Sequence, residues 1–335
     1  MSAAFSLAGT AKDRCLRMLR TAMGPEIARA LEDPDVVEVM LNPDGALWID
    51  RLSTGRAPMG GSLSVSDGER IIRVVASHVK AEVHAGRPLL TAELPETGAR
   101  FEGVIPPVVP APAFALRKHA VGVLALADYV NDGILTAAQA SFLRSAVHER
   151  QNILIVGGTG TGKTTLANAL LAEIAATGDR VLVMEDTVEL QCTARDHVPL
   201  RTQPGVVTMA DLVRVAMRLY PDRIVVGEVR GGEALDLIKV WGTGHPGGIA
   251  TVHAGSAYGG LLRIEQLILE VALAAPRALI ADTVNVIVLI AGRGRARHVQ
   301  DIARVVGFDA GGYQLASQTH LAQAPLIFPT TGDPS

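Results

Sequence analysis

The run Gly157-Gly158-Thr159-Gly160-Thr161-Gly162-Lys163-Thr164 constrains this chain more than any other feature. Its spacing, G-x-x-x-x-G-K-[ST], makes a phosphate-binding loop where a strand leads in and a helix leads out. Both are foreseen. Asn152–Val156 is short and apolar, and Thr165–Ala176 reads as a helix. The glycines let the backbone curl so that several N–H groups point inward, and the positive end of the helix adds to this anion nest. Gly158, Thr159, Gly160, Thr161, Gly162, Lys163, Thr164 and Thr165 are therefore the candidate nucleotide contacts. Lys163 is placed to reach the β- and γ-phosphates of ATP, and Thr164 to offer its hydroxyl to Mg²⁺. Lysine is scarce in this chain, 5 against 26 arginines, so one at this position carries more information.

Around the loop, short apolar strands alternate with helices. The strand candidates are 152–156, 181–184, 224–227, 248–252 and 284–290, uninterrupted by charge as buried parallel strands are. That rhythm predicts a RecA-like, doubly wound α/β domain over 136–320, with ligands at the C-terminal ends of its strands. Segments 298–306 and 312–316 read as a closing hairpin, and Thr136 with Gln139 as the cap of a helix running to about Arg150. Residues 1–120 form a smaller α/β domain. Its helices fall within 11–32, with a break at Gly24-Pro25, and from Ser66, where Glu69 completes a capping box. Its strands fall at 36–41, 46–50, 90–94, 99–105 and 113–118. A linker is expected over 121–135 and a disordered tail over 321–335. The net charge of -3 does not call for nucleic acid. No apolar run is long enough to span a membrane. Lys12, Arg14, Arg17 and Arg20 stand where a secretory signal would need an apolar stretch. Cys15 and Cys192 form no metal-binding pattern and read as reduced thiols.

Three further segments carry candidate chemistry. The strand Ile224–Val226 leads to Gly227-Glu228, and an acid at such a strand end serves Mg²⁺ or the attacking water. Gly227 stands where a metal-binding Asp is common, so Glu228 suits water better than metal. Met184-Glu185-Asp186-Thr187-Val188-Glu189 is an acidic cluster after a strand. A carboxylate there either joins Mg²⁺ coordination or orients water. Glu185, directly after 181–184, is preferred to Asp186, and the choice stays open. His253 ends a strand and is placed to sense the γ-phosphate. His253 and His245 without a third ligand make a poor metal site.

These blocks, in this order, resemble the traffic ATPases of type II and type IV secretion, most of all the conjugal-transfer (TrbB-like) group. The likeness rests on the loop at 157–164, the acidic box 185–189, Arg218-x-x-Pro221-Asp222 leading into Gly227-Glu228-x-Arg230, and the His box from Thr243-Gly244-His245 through Thr251-Val252-His253-Ala254. Weaker matches lie at 36–50, Gly98-Ala99-Arg100 and Leu116-Arg117-Lys118. The resemblance implies an ATP-hydrolysing homohexamer, cytoplasmic and peripheral to the inner membrane, working with channel proteins of a secretion or conjugation apparatus. It implies that the two domains clamp the nucleotide, with Arg100 and Arg117 as phosphate contacts, Glu228, Lys163, Glu185 and His253 as the catalytic set, and Thr164 with Glu185 or Asp186 on the metal side. Arg195, Arg201 and Arg230 are candidates for a subunit boundary.

Direct nucleic-acid binding is left open. Arg293, Arg295, Arg297 and His298 make a basic patch, whose plainer reading is a solvated hairpin. No aromatic side chains interleave with it to stack bases. A nucleic-acid motor on the same core and a nucleotide-gated scaffold without turnover are the alternatives. A small-molecule kinase would need a lid, and no Arg-rich insert supplies one.

Overall fold

The computed structural model describes residues 18–94, 97–118 and 122–318. The chain divides into two compact units. One runs through Gly122 and also takes in Arg293–Arg295; the other is Val123–Gly292 with Ala296 onward. The tail expected at 321–335 and Cys15 lie outside the described residues.

The first unit is an antiparallel sheet in the order β3-β2-β1-β6-β5-β4. Its strands are β1 (Val36–Leu41), β2 (Ala46–Arg51), β3 (Gly55–Ser62), β4 (Leu89–Glu93), β5 (Arg100–Val104) and β6 (Ala113–Arg117). Alternation of apolar and polar residues gives the sheet one buried face, as in β1, where Val36, Val39 and Leu41 are buried. Helix α2 (Val65–His78) supplies Ile71, Ile72 and Val75 to the core shared with Phe101, Phe114 and Leu116. Its cap differs from the expected Ser66/Glu69 box. Ser64 is the N-cap, accepting from the Asp67 amide at 3.1 Å, and Glu69 instead pairs with Arg73 one turn on. Helix α1 runs without a gap over 18–32 among the described residues, so the break expected at Gly24-Pro25 is reduced to a left-handed φ of 73° at Gly24.

The second unit is an eight-stranded sheet, β14-β13-β12-β7-β11-β10-β8-β9. The strands are β7 (Ile153–Gly157), β8 (Val181–Glu185), β9 (His197–Arg201), β10 (Arg223–Val226), β11 (Ile249–His253), β12 (Val286–Ala291), β13 (His298–Asp309) and β14 (Gly312–Ser317). From β12 to β9 every neighbour pairs in parallel, and β13 and β14 close the sheet as the expected antiparallel hairpin. The central strands are apolar throughout because both faces are covered. Leu154, Val156, Leu182, Met184, Ile224 and Val226 face one core, filled by α6 (Met209–Ala216), α7 (Glu233–Gly242), α8 (Ala257–Ile268) and α9 (Arg277–Thr283). Ile153, Ile155, Val181, Val183 and Val225 face the other, filled by α3 (Leu126–Asn131), α4 (Ala137–His148) and α5 (Lys163–Ala175). Helix α3 corrects the linker expected at 121–135. Leu126, Tyr129 and Leu135 are buried in this second core, so the segment is part of the unit.

Two buried polar groups tie the strand entries together. Asn152 donates to the Thr283 carbonyl and accepts from the Gly247 and Gly248 amides, all within 3.0 Å. Arg223, 1% exposed, donates to Asp179 at 2.6 Å and to the Val147 carbonyl at 2.8 Å. Each buried donor or acceptor left unmade costs about 1–3 kcal/mol, so these side chains fix how the strands begin.

Candidate nucleotide site

The parallel strands all point one way, so their C-terminal ends bring distant residues to one edge. Gly157 ends β7, Glu185 ends β8, Glu228 follows β10 and His253 ends β11. Gly157 has no room for a side chain, because a Cβ there would strike the Ile290 carbonyl and lie 2.7 Å from Thr161 Oγ1. The loop then turns through Gly160 (φ 76°) and Gly162 (φ 97°), left-handed conformations that glycine adopts without steric cost. Gly162 is the N-cap of α5, and the first amides of a helix have no partner within the helix, an arrangement that favours an anion there.

Lys163 is only 7% exposed and folds back over its own loop. Its Nζ donates to the carbonyls of Gly157 (3.0 Å) and Gly158 (3.1 Å). It also lies 3.3 Å from His253 Nδ1. An ammonium has donors only, so Nδ1 is the acceptor and the ring proton sits on Nε2. Nε2 lies 2.6 Å from Glu228 Oε1, close but not aligned as a hydrogen bond. Burial and then the Lys163 charge hold the His253 pKa below its ordinary 6.5, which keeps the ring neutral at pH 7. His253 thus bridges the loop lysine and the acid after β10. His245, its partner in the His box, lies at the opposite edge of the sheet, where it contacts the Pro221 carbonyl at 3.0 Å.

The turn carrying Glu228 is pinned from both sides. Gly227 N–H donates to the Met184 carbonyl on β8, and Thr251 Oγ1 on β11 donates to the Gly227 carbonyl at 2.7 Å. Arg230 grips the other Glu228 oxygen with two guanidinium nitrogens, Nε at 2.8 Å and Nη2. Sequence reasoning placed Arg230 among boundary candidates and missed this contact within the chain. A pair two residues apart in an irregular turn has no periodic signature.

The acidic box is arranged differently from the sequence preference. Glu185 does not touch Thr164. It is 7% exposed, and its Oε1 accepts the backbone N–H groups of Glu189 (2.9 Å) and Leu190 (2.7 Å). Burial raises its pKa from 4.5 to about 7 against the pull of those two amides, and the Glu189 charge adds to the rise. Gly227 leaves the space Glu185 needs, since a Cβ there would lie 3.0 Å from Glu185 Cγ. The carboxylate at the Thr164 hydroxyl is that of Glu189, at 3.1 Å. Asp186 is turned to the edge strand, accepting from Thr202 Oγ1 at 2.9 Å. Thr164 and Glu189 are hard oxygen donors, the kind Mg²⁺ takes one or two at a time alongside phosphate and water. Among the described residues no group of three His, Cys, Asp or Glu is placed to hold a metal ion.

In the first unit, Arg100 and Arg117 stand directly opposite each other on β5 and β6. The same cross-strand row continues to Glu93 beside Arg100 and to Glu38 beside Arg117. Acids on their own sheet therefore flank both arginines. The basic patch is divided, with Arg293 and Arg295 in the first unit and Arg297 in the second.

A phosphate loop between a buried parallel strand and its helix, with an acid and a histidine at neighbouring strand ends, defines a P-loop NTPase domain of the RecA-like kind. More particularly, the chain belongs to the type II/IV secretion system protein family, whose model matches residues 70–305. A probable conjugal transfer protein TrbB of Sinorhizobium fredii is 48% identical over 91% of this chain and 94% of its own. The conjugal transfer protein TrbB of Rhizobium radiobacter is 46% identical over 90% and 93%. The solved ATPase DotB of Legionella pneumophila shares the fold, with a TM-score of 0.60 at 17% identity, covering 85% of this chain and 80% of that one. No helix among the described residues is long and apolar enough to cross a membrane.

Proposed function

We propose that this chain hydrolyses ATP and works as a traffic ATPase for a conjugation or type IV secretion apparatus, as part of a homohexameric ring. The observation that carries the chemistry is the line Lys163–His253–Glu228, three polar groups from three strand ends on one edge of the sheet. Phosphoryl transfer asks for positioning and charge stabilisation, and this edge supplies both. Lys163 exchanges the Gly157 and Gly158 carbonyls for phosphate oxygens, and the amides at the start of α5 take the remaining charge. Glu228 orients the attacking water. His253 links the two, so the place of the lysine is felt at the acid. Thr164 and Glu189 would hold Mg²⁺, which when bound supplies charge neutralisation at the phosphates. Glu185, through the Glu189 and Leu190 amides, holds the loop that brings Glu189 there, and Asp186 anchors that loop to β9. Arg100 and Arg117 are proposed as phosphate contacts on the family likeness and on guanidinium chemistry.

The work done by turnover is proposed to be rigid-body domain movement, and the partners to be channel components at the inner membrane. The test combines ADP and ATP binding with particle mass, with and without nucleotide. Tight binding with particles of about six copies is expected. Strict monomers with bound ATP would defeat the ring, and turnover that depends on added DNA and falls steeply with salt would favour a nucleic-acid motor instead.

A further inference from the structure

Arg297 stands apart from the other basic residues of its hairpin. Its guanidinium packs on the face of Gly162 from which a side chain would project. A Cβ built there would lie 2.9 Å from Arg297 Nε and 3.0 Å from Cζ. Arg293 and Arg295 are exposed, whereas Arg297 is half-buried and its Nε is sealed from solvent with no hydrogen-bond partner. No carboxylate among the described residues pairs with it. The neighbouring Tyr129 hydroxyl, on α3, is equally buried and unpartnered, and it feels the Arg297 charge. A buried donor with nothing to donate to costs about 1–3 kcal/mol, more when charged, so its persistence calls for an acceptor that arrives later.

The position names the acceptor. Gly162 is the residue at which the phosphate loop becomes helix α5, and its missing side chain is what lets the Arg297 guanidinium lie against the loop backbone. Lys163, one residue on, turns toward Gly157 and His253, the side that the proposed function gives to the γ-phosphate, which leaves the Gly162 side to the α-phosphate. We propose that Arg297 is a nucleotide-binding residue, donating its guanidinium to the α-phosphate of ADP and ATP alike at the Gly162 end of the loop. Arg297 then serves binding rather than the chemical step, since the α-phosphate is held in the same way before and after hydrolysis. The inference rests on the reading of this loop as the nucleotide site.

The experiment measures ADP and ATP affinity of the full chain, as wild type, Arg297→Gln and Arg297→Lys, alongside melting without nucleotide and kcat at saturating ATP. The expected result is a loss of about ten- to a hundredfold in both affinities for Arg297→Gln, the range of one hydrogen bond to a charged group. Partial recovery in Arg297→Lys, a nucleotide-free melting temperature for Arg297→Gln no lower than wild type, as removal of an unpartnered buried donor requires, and kcat within about twofold complete it. Arg297→Gln binding ADP as tightly as wild type would overturn the assignment. So would a drop in kcat with affinity intact, which would place Arg297 in the chemical step. Failure of the wild type itself to bind ADP would instead sink the nucleotide-site reading, so the two failures are distinguishable.

Discussion

Replacing Glu185 by Gln tests whether this acid supports the loop or acts at the phosphates. In the folded chain burial lifts its pKa to about 7, against 4.5 for the free side chain. The difference of about 2.5 units, at roughly 1.4 kcal/mol each, amounts to about 3 kcal/mol. The sign follows from proton binding. Between pH 4.5 and 7 the folded state keeps the Glu185 proton that the unfolded chain releases, so this site makes stability fall as pH rises through that window. Gln cannot titrate, yet its carbonyl oxygen still accepts the Glu189 and Leu190 amides. The stability of Glu185→Gln relative to wild type should therefore climb by about 3 kcal/mol from pH 4.5 to 7.5. Urea unfolding in a Trp48→Phe background, without nucleotide and with divalent cations chelated, reads this through Trp241, which is 3% exposed in the second unit. Glu185→Ala should be destabilised at every pH, because two buried amides lose their acceptor at about 1–3 kcal/mol each. Parallel pH profiles for wild type and Glu185→Gln would refute the burial argument.

Other outcomes follow from the same contacts. Glu189→Gln should raise the Mg²⁺ concentration needed for half-maximal phosphate release several-fold, more than Glu185→Gln does, in a titration of magnesium at fixed ATP. Turnover should decline as pH falls below the ordinary His value of 6.5, because protonating Nδ1 of His253 sets its charge against Lys163; a pH–rate profile of His253→Ala should lack that limb. Asp179→Asn should cost about 3–5 kcal/mol by leaving Arg223 buried without its counter-charge, seen as a large fall in melting temperature. Gly162→Ala should abolish ADP binding while the chain stays folded, since the left-handed φ of 97° costs a side chain about 1–2 kcal/mol and the Cβ meets Arg297.

Features with a local or periodic cause were legible in the sequence. The strand–loop–helix around Lys163, the run of buried parallel strands, the Thr136/Gln139 cap and the closing hairpin each leave such a mark. The edge strands did not. β3 is rich in glycine and carries Pro58, and β9 mixes His197, Pro199 and Arg201 with half-buried apolar residues. Partly solvated strands carry a weak apolar signal. In the site, the sequence identified the acidic box but not the turn inside it. Only the fold shows that Glu185 bends back under Gly227 and that Glu189 is the acid reaching Thr164. Arg297 and Arg230 were invisible as site residues for a related reason. Their meaning lies in contacts with Gly162 and Glu228, and one of those links spans more than a hundred residues.

Whether the Lys163–His253–Glu228 edge turns over ATP is read from steady-state phosphate release from ATP with Mg²⁺ by wild type and Glu228→Gln, with ATP binding measured on both. Steady release by the wild type is expected, and at least a hundredfold loss in Glu228→Gln with ATP still bound. Release that survives in Glu228→Gln, or a wild type that binds ATP and never releases phosphate, would contradict turnover at this edge.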